Sequence, residues 1–183
     1  MVDYDLIVLI IARINAAQAA LGYSYEVTKA VQPTQQGAST QSTIYYQKLW
    51  DIPYGFPMTS YSFNSENQIE NEITTQLVES TFQIATFVNE IPGDPTIPTA
   101  SDVLNSLQRY LSSQTNLRVM QSSGVNMLRI RNVTNQYFDN DRSQYQPMPT
   151  LEWTLTHQNS ITSPVPFTST VNATIYNVDQ GES

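Results

Sequence analysis

From Thr75 to Val88 the side chains alternate in character with a period of two, and this long strand pattern constrains the fold more than any other feature of the chain. Leu77, Glu79, Thr81, Gln83, Ala85 and Phe87 fall on one face. Val78, Ser80, Phe82, Ile84, Thr86 and Val88 fall on the other, because successive strand side chains point to opposite sides. The second face is the more consistently apolar, at Phe82, Ile84 and Val88. A second amphipathic strand is predicted where Leu151, Trp153, Leu155 and His157 alternate with Glu152, Thr154 and Thr156. The β-branched and aromatic run Thr43–Leu49 reads as a strand, as does Val125–Val133, with Leu128 and Ile130 facing one way and Arg129 and Arg131 the other.

Two helices accompany these strands. Leu6, Ile7, Ile10, Ile11, Ile14, Ala17 and Leu21 recur at helical spacing, with Asp3 or Asp5 as the acidic start and Gly22 as the stop. The apolar run Leu6–Ile11 follows acids where a signal peptide carries positive charge, and Arg13 interrupts it far short of the ~20 residues that span a bilayer. A core helix is expected, with no targeting segment and no membrane role. Ser101 as cap and Asp102 in the first turn open a second helix, whose stripe is Val103, Leu104, Leu107, Tyr110 and Leu111. Asn116–Gly124 is a connector containing a short helix. Gln32–Ser42, the Pro53/Gly55/Pro57 group, the proline-rich stretch around Pro95, and Tyr137–Pro149 are expected to break regular structure, and Asn64–Glu72 reads as polar and acidic. Pro164 and Pro166 set apart a β-prone segment, Thr168–Val178. The expected fold class is α+β, an antiparallel sheet or sandwich with helices packed on one side. One domain covers residues 1–165, and residues 166–183 form a C-terminal extension or arm.

Composition narrows the function. Charged residues are 13% of the 183, about half the usual share, and Gln, Asn, Ser and Thr fill the gap. Charge is depleted at the cores of subunit contacts, so this mix suits an assembling protein. A net charge of −8 argues against gripping nucleic acid, which needs Lys and Arg on phosphates. With no cysteine, disulfides, thiolate metal sites and cysteine nucleophiles are excluded.

No constellation of catalytic residues stands out. His157 is the lone histidine, at a strand end, and without a ligand set at metal spacing it reads as structural. Asp139 and Asp141 open like a calcium loop, but Gln144 stands where the turn needs Gly and Thr150 where the bidentate Glu belongs. Glu66, Glu70, Glu72 and Glu79 read as a solvated acidic face rather than a glycosidase pair. No nucleophile elbow surrounds any serine, and no phosphate-binding glycine loop occurs. The expectation is a non-enzymatic protein with no catalytic, cofactor or metal residues and no cofactor. The more suggestive groups are Arg129 with Arg131, suited to pairing with carboxylates of a neighbouring subunit, and the aromatic cluster Tyr45, Tyr46, Trp50, Tyr54, Phe56, Tyr61 and Phe63, divided between core and contact surface. Two other readings stay open: a soluble carbohydrate- or receptor-binding module, and an enzyme with His157 as base.

Three segments resemble the phage neck terminator family: Thr43–Pro57, Thr99–Asn105, and Tyr137–Arg142 followed by Leu151–His157. Their order and spacing agree with the family over roughly residues 20 to 165. Ile52 and Pro53 depart from its pattern of basic residues between the Asp and the Tyr of the first segment. The resemblance implies a structural virion protein of the head–tail neck of a tailed bacteriophage, tail-terminator-like in fold and present in host cytoplasm during assembly. It implies a homo-oligomeric, hexameric ring that ends the tail tube and joins the head-side connector or adaptor proteins. Tail tube and sheath proteins are the implied partners, and genomic DNA passes through without specific binding. Tyr54, Phe56, Arg129, Arg131, Asp139, Asp141 and Arg142 are the expected interface residues, by aromatic anchoring and charge pairing. Six against twelve copies stays open.

Overall fold

A computed structural model of the chain describes residues 3–30, 41–65, 69–90, 94, 96–135, 137–139 and 145–165. In chain order its elements are α1 (Asp3–Leu21), β1 (Glu26–Lys29), β2 (Thr43–Asn64), β3 (Ile69–Phe87), α2 (Ala100–Leu111), α3 (Gln114–Ser122), β4 (Val125–Ile130), β5 (Tyr137–Asp139), β6 (Tyr145–Pro147) and β7 (Thr150–Val165). Five strands form one sheet in the order β1-β2-β3-β7-β4, and β5 and β6 form a separate two-stranded ladder. Every neighbouring pair in the main sheet is antiparallel except β1 and β2, which are parallel. The fold is therefore α+β, with a mixed rather than purely antiparallel sheet.

The helices cover one face of that sheet. Register sets Phe82 opposite Trp153 and Ile84 opposite Leu151, so the apolar face of the β3 alternation joins the apolar face of β7. Leu6, Ile10, Ile14 and Ala17 of α1, Val103, Leu104, Leu107 and Leu111 of α2, and Met120 of α3 pack with them in one buried cluster. Burying an aliphatic or aromatic side chain of this size contributes roughly 1.5–3 kcal/mol, so this cluster is the main source of the body's stability. By length and composition α1 is apolar enough to cross a membrane, yet its inward stripe is a core helix face with no solvent exposure. Gly22 ends α1 at φ 77°. That left-handed residue lets Tyr23 N–H donate to Gln18 O at 2.9 Å and Gly22 N–H to Ala19 O at 3.4 Å, so the last turn closes its open carbonyls.

Several expectations are corrected. Thr99, not Ser101, caps α2, its side chain accepting from the Asp102 N–H. Both residues have the right chemistry, but only Thr99 has the extended backbone a cap needs. Pro53, Gly55 and Pro57 do not end β2, which runs unbroken to Asn64. Pro53 stays paired with Val78, and the ladder shifts between Tyr54 and Met58, absorbing Gly55 and Pro57 as a bulge, with Gly55 at φ 71° and Gln76 Nε2 donating to Gly55 O at 3.1 Å. Strand β2 ends at Asn64, and β3 starts at Ile69 rather than Thr75, so Ile69–Glu72 is strand. A second shift between Met127 and Arg129 pushes Leu128 out of the β4 ladder, so Leu128 and Ile130 do not share a face as expected. Strand β4 also stops at Ile130, short of Val133. The segment Tyr137–Pro149, expected to be loop, contains the β5–β6 ladder. His157 lies mid-strand, because β7 continues through Pro164 as an edge strand, where a residue lacking an N–H is tolerated. The β-prone Thr168–Val178 and the rest of 166–183 lie outside the described residues.

Candidate assembly surfaces

Beyond the helices, three strands continue as an arm. Residues from Asp51 to Asn64 of β2, the first half of β3 and the last part of β7 remain paired in register, from Ser80 with Leu155 out to Glu70 with Val165. At ~3.3 Å per residue the β2 portion of this arm is roughly 45 Å of strand. Among the described residues no strand pairs along its outer edges: β1 covers β2 only through Tyr46, and β4 covers β7 only through His157.

Alternation places the arm's side chains. On the face continuing the helix-covered side lie Tyr61, Phe63 and Ile161, with Glu70 and Glu72 beside them. On the opposite face lie Ile52, Tyr54, Met58 and Leu77, in line with Trp50. These apolar groups are exposed, Phe56 in the bulge at 95% and Tyr61 at 61%. None of the expected aromatic cluster is fully buried, so the division between core and contact surface falls on the contact side, with Tyr45 and Tyr46 half-buried. The arm was not foreseen because the proline-glycine group masked it. The chain does carry a signal for it: no Lys or Arg occurs between Lys48 and Arg109 or after Arg142.

A polar junction roots the arm in the body. Lys48 Nζ lies 2.6 Å from Asp3 Oδ1 at the start of α1 and also contacts the Asp51 carboxylate. Ser80 Oγ donates to Asp51 Oδ1 at 2.6 Å and sits 3.0 Å from His157 Nε2. Burial would raise the Asp51 carboxyl, but hydrogen bonds from Lys48 and Ser80 outweigh it and hold its pKa below the ordinary carboxylate value. Burial would lower the Lys48 ammonium, but its bonds to Asp3 and Asp51 outweigh that and raise it. Burial pushes the His157 imidazole down. The trio is not wired for nucleophilic attack. The serine's single proton goes to the carboxylate, so Nε2 must donate to Oγ instead of abstracting from it, and the Ser80 side chain is sealed from solvent.

Arg129 and Arg131 share the uncovered sheet face with Thr154 and Glu152, as expected. Arg131 is already engaged within the chain: its Nη1 lies 2.9 Å from Glu152 Oε2. The pair lines a polar recess of about 390 Å³ with Gln83, Asn132, Thr134 and Thr150. Arg129 is freer, with one long 3.4 Å contact from Nε to Thr154 Oγ1. Tyr54 and Phe56 sit on the arm, away from these arginines. Asp141 and Arg142 lie outside the described residues, as does the side chain of Asp139. Along the outer side of α1, Tyr4, Val8, Ala12, Asn15 and Ala19 form a second exposed and largely apolar stripe. Among the described residues no group of three ligating side chains is placed to hold a metal ion.

A family model described as E217 gateway protein gp29 matches residues 5–167. A solved structure titled as the sheath/tube terminator, in the extended state, of an extracellular contractile injection system (PVC) superposes with a TM-score of 0.52 at 13% identity. The superposition covers 97% of this chain and 64% of that one, so the chain spans just under two thirds of its length. At that identity the likeness is one of fold: the sheet and helices are arranged as in a terminator. No curated protein sequence matches the chain.

Proposed function

This chain belongs to the E217 gateway protein gp29 family, and from that premise we propose that it is a structural, non-enzymatic subunit of a phage neck, ending the tail tube beneath the head. One observation supports this most: an arm with apolar side chains on both faces that nothing in the described chain covers. Exposed apolar surface of this extent marks protein contacts. The outer stripe of α1 adds a second such surface.

In this reading copies of the chain close into a ring, hexameric as in tail terminators, with the connector on the head side and tube and sheath proteins on the tail side. The open face of the arm, with Trp50, Ile52, Tyr54 and Met58, is the surface offered to those partners, and Phe56 is its most projecting anchor. The ring passes DNA rather than holding it. Each copy carries −8, and a lumen poor in Lys and Arg has no way to neutralise phosphates. A carbohydrate-binding role fits less well, because among the described residues the polar recess around Arg131 is lined by no aromatic ring for a sugar to stack on.

The test is assembly without the chain. Particles lacking it are expected to accumulate filled heads and separate tails, or tails of irregular length, under the electron microscope. Infectious particles of normal form would reject the proposal. Averaged images of the neck should show sixfold symmetry at the level this chain occupies, and twelvefold symmetry there would correct the copy number.

A further inference from the structure

Charge and apolar surface are distributed unequally over the molecule. The arm has no cation: residues 52–79 and 158–165 contain no Lys or Arg, and Glu70 and Glu72 lie among Tyr61, Phe63 and Ile161 on one face. Among the described residues neither glutamate has an ion-pair partner, the nearest polar contact being Thr74 Oγ1 to Glu72 Oε1 at 3.4 Å. The flank formed by α3 and β4 has the reverse character. Arg118 and Val119 are consecutive exposed residues of α3 in the helix layer, and Leu128 and Arg129 are consecutive exposed residues of β4, with Arg129 on the uncovered sheet face, so the two cations stand on either side of the β4 edge with Leu128 between them. Leu128 is 51% exposed because the bulge expels it from the ladder. Arg118 has no ion pair among the described residues. Among the described strands β4 ends the sheet, and none pairs with its outer edge.

We infer that the arm of one copy docks along the α3–β4 flank of the next copy, with Glu70 and Glu72 facing Arg118 and Arg129 and with Tyr61 and Phe63 against Val119 and Leu128. The inference rests on the ring reading above and names the contact that closes the ring. Each surface pairs apolar groups with charge of one sign, and the signs are opposite. Within one copy the two do not meet, since the arm strands lead away from β4 beyond His157. Two different surfaces that join copy to copy make a heterologous contact, the kind that closes rings. DNA and an anionic membrane are poor occupants for the arm, because its only charges are negative. Strand-on-strand stacking through β2 is disfavoured as well: Pro53, Pro57 and the bulge blunt that edge.

The experiment uses the full-length chain and reads oligomer mass by native mass spectrometry and sedimentation velocity. The unaltered chain should form a closed oligomer. Glu70→Arg with Glu72→Arg should lose that species, and so should Arg118→Glu with Arg129→Glu. Combining all four changes in one chain restores opposite charges across the contact and should restore the oligomer. Mixing the two double variants should also restore it, as an alternating ring. Arg118 and Arg129 are exposed, and Glu70 and Glu72 are half-buried on the arm, outside the buried core, so thermal melts of each variant should stay close to the unaltered chain, which separates lost association from lost folding. If either double variant keeps the full oligomer, or if the four-fold swap stays dissociated, the docking inference fails while the ring reading stands. If the unaltered chain never forms a closed oligomer, the ring reading itself fails and takes the inference with it.

Discussion

At the scale of single residues, the junction of Lys48, Asp51, Ser80 and His157 makes stability depend on pH with definite signs. The folded state holds His157 below its ordinary value of 6.5, so the unfolded chain takes up that proton first and stability declines as pH falls below 6.5. Asp51 is held below 3.8, so its contribution is present above 3.8 and is lost as pH falls further, through its lowered folded value. Lys48 is raised above 10.5, so its contribution is intact below 10.5 and is lost as pH climbs through its raised folded value. Thermal melts across pH should therefore show two acid steps. His157→Gln should remove the first and leave the second, and Asp51→Asn should shrink the second, to which Asp94, held below 3.8 by hydrogen bonds from Thr96, also contributes. In the core, Trp153 and Phe82 face each other fully buried. Phe82→Ala should cost about 3–5 kcal/mol in urea unfolding, because the cavity lies between sheet and helices and cannot collapse freely.

Elements show a division of labour. The buried cluster holds α1, α2, α3 and the inner halves of the strands together without any arm residue beyond Ser80 and His157. Excising the β2–β3 tip and joining Tyr54 to Leu77, which are register partners, through a two-residue turn should therefore leave the melting transition cooperative and the helical circular dichroism intact. Association should be lost in the same protein. A melt that broadened or vanished would mean that the arm is part of the folding unit. Thr99→Ala removes the cap that α2 uses and should cost about 1 kcal/mol, whereas Ser101→Ala, inside the helix, should cost far less.

For the molecule as a whole, the body is satisfied and the surface is not. The uncovered sheet face is stitched by uncharged pairs: Gln47 with Gln83 at 2.6 Å, Thr81 with Thr154 at 3.1 Å and Thr75 with Ser160 at 3.0 Å. These pairs account for part of the low charge content, since much of that face is held by uncharged contacts, with Arg131–Glu152 as its ion pair. Outside the body, the arm from residue 52 carries acids and no Lys or Arg, while Arg118 and Arg129 lie on the α3–β4 flank. At physiological ionic strength exposed charges more than ~8 Å apart are largely screened, so this separation acts at docking distance. Raising salt should accordingly weaken association of the unaltered chain, as sedimentation would show by a growing monomer fraction, while leaving its thermal midpoint nearly unchanged.

Local pattern alone determined the two core-facing strand alternations, the stripes of α1 and α2 and the α+β class, because periods of two and of three to four residues report directly which side chains share a face. The acidic balance and the scarcity of charge also came from composition, without reference to folding. Tertiary structure decided the rest. Proline and glycine at 53, 55 and 57 favour a break in isolation, yet an eighteen-pair ladder between β2 and β3 outweighs three poor strand formers and turns the break into a bulge. The choice of Thr99 over Ser101 as cap depended on where the helix could start against the sheet, and the expulsion of Leu128 depended on the register with β7. Apart from the local Lys48–Asp51 pair, the junction of Asp3, Lys48, Asp51, Ser80 and His157 joins residues far apart along the chain, and only the pairing of β2, β3 and β7 and the placement of the start of α1 beside β2 bring them together.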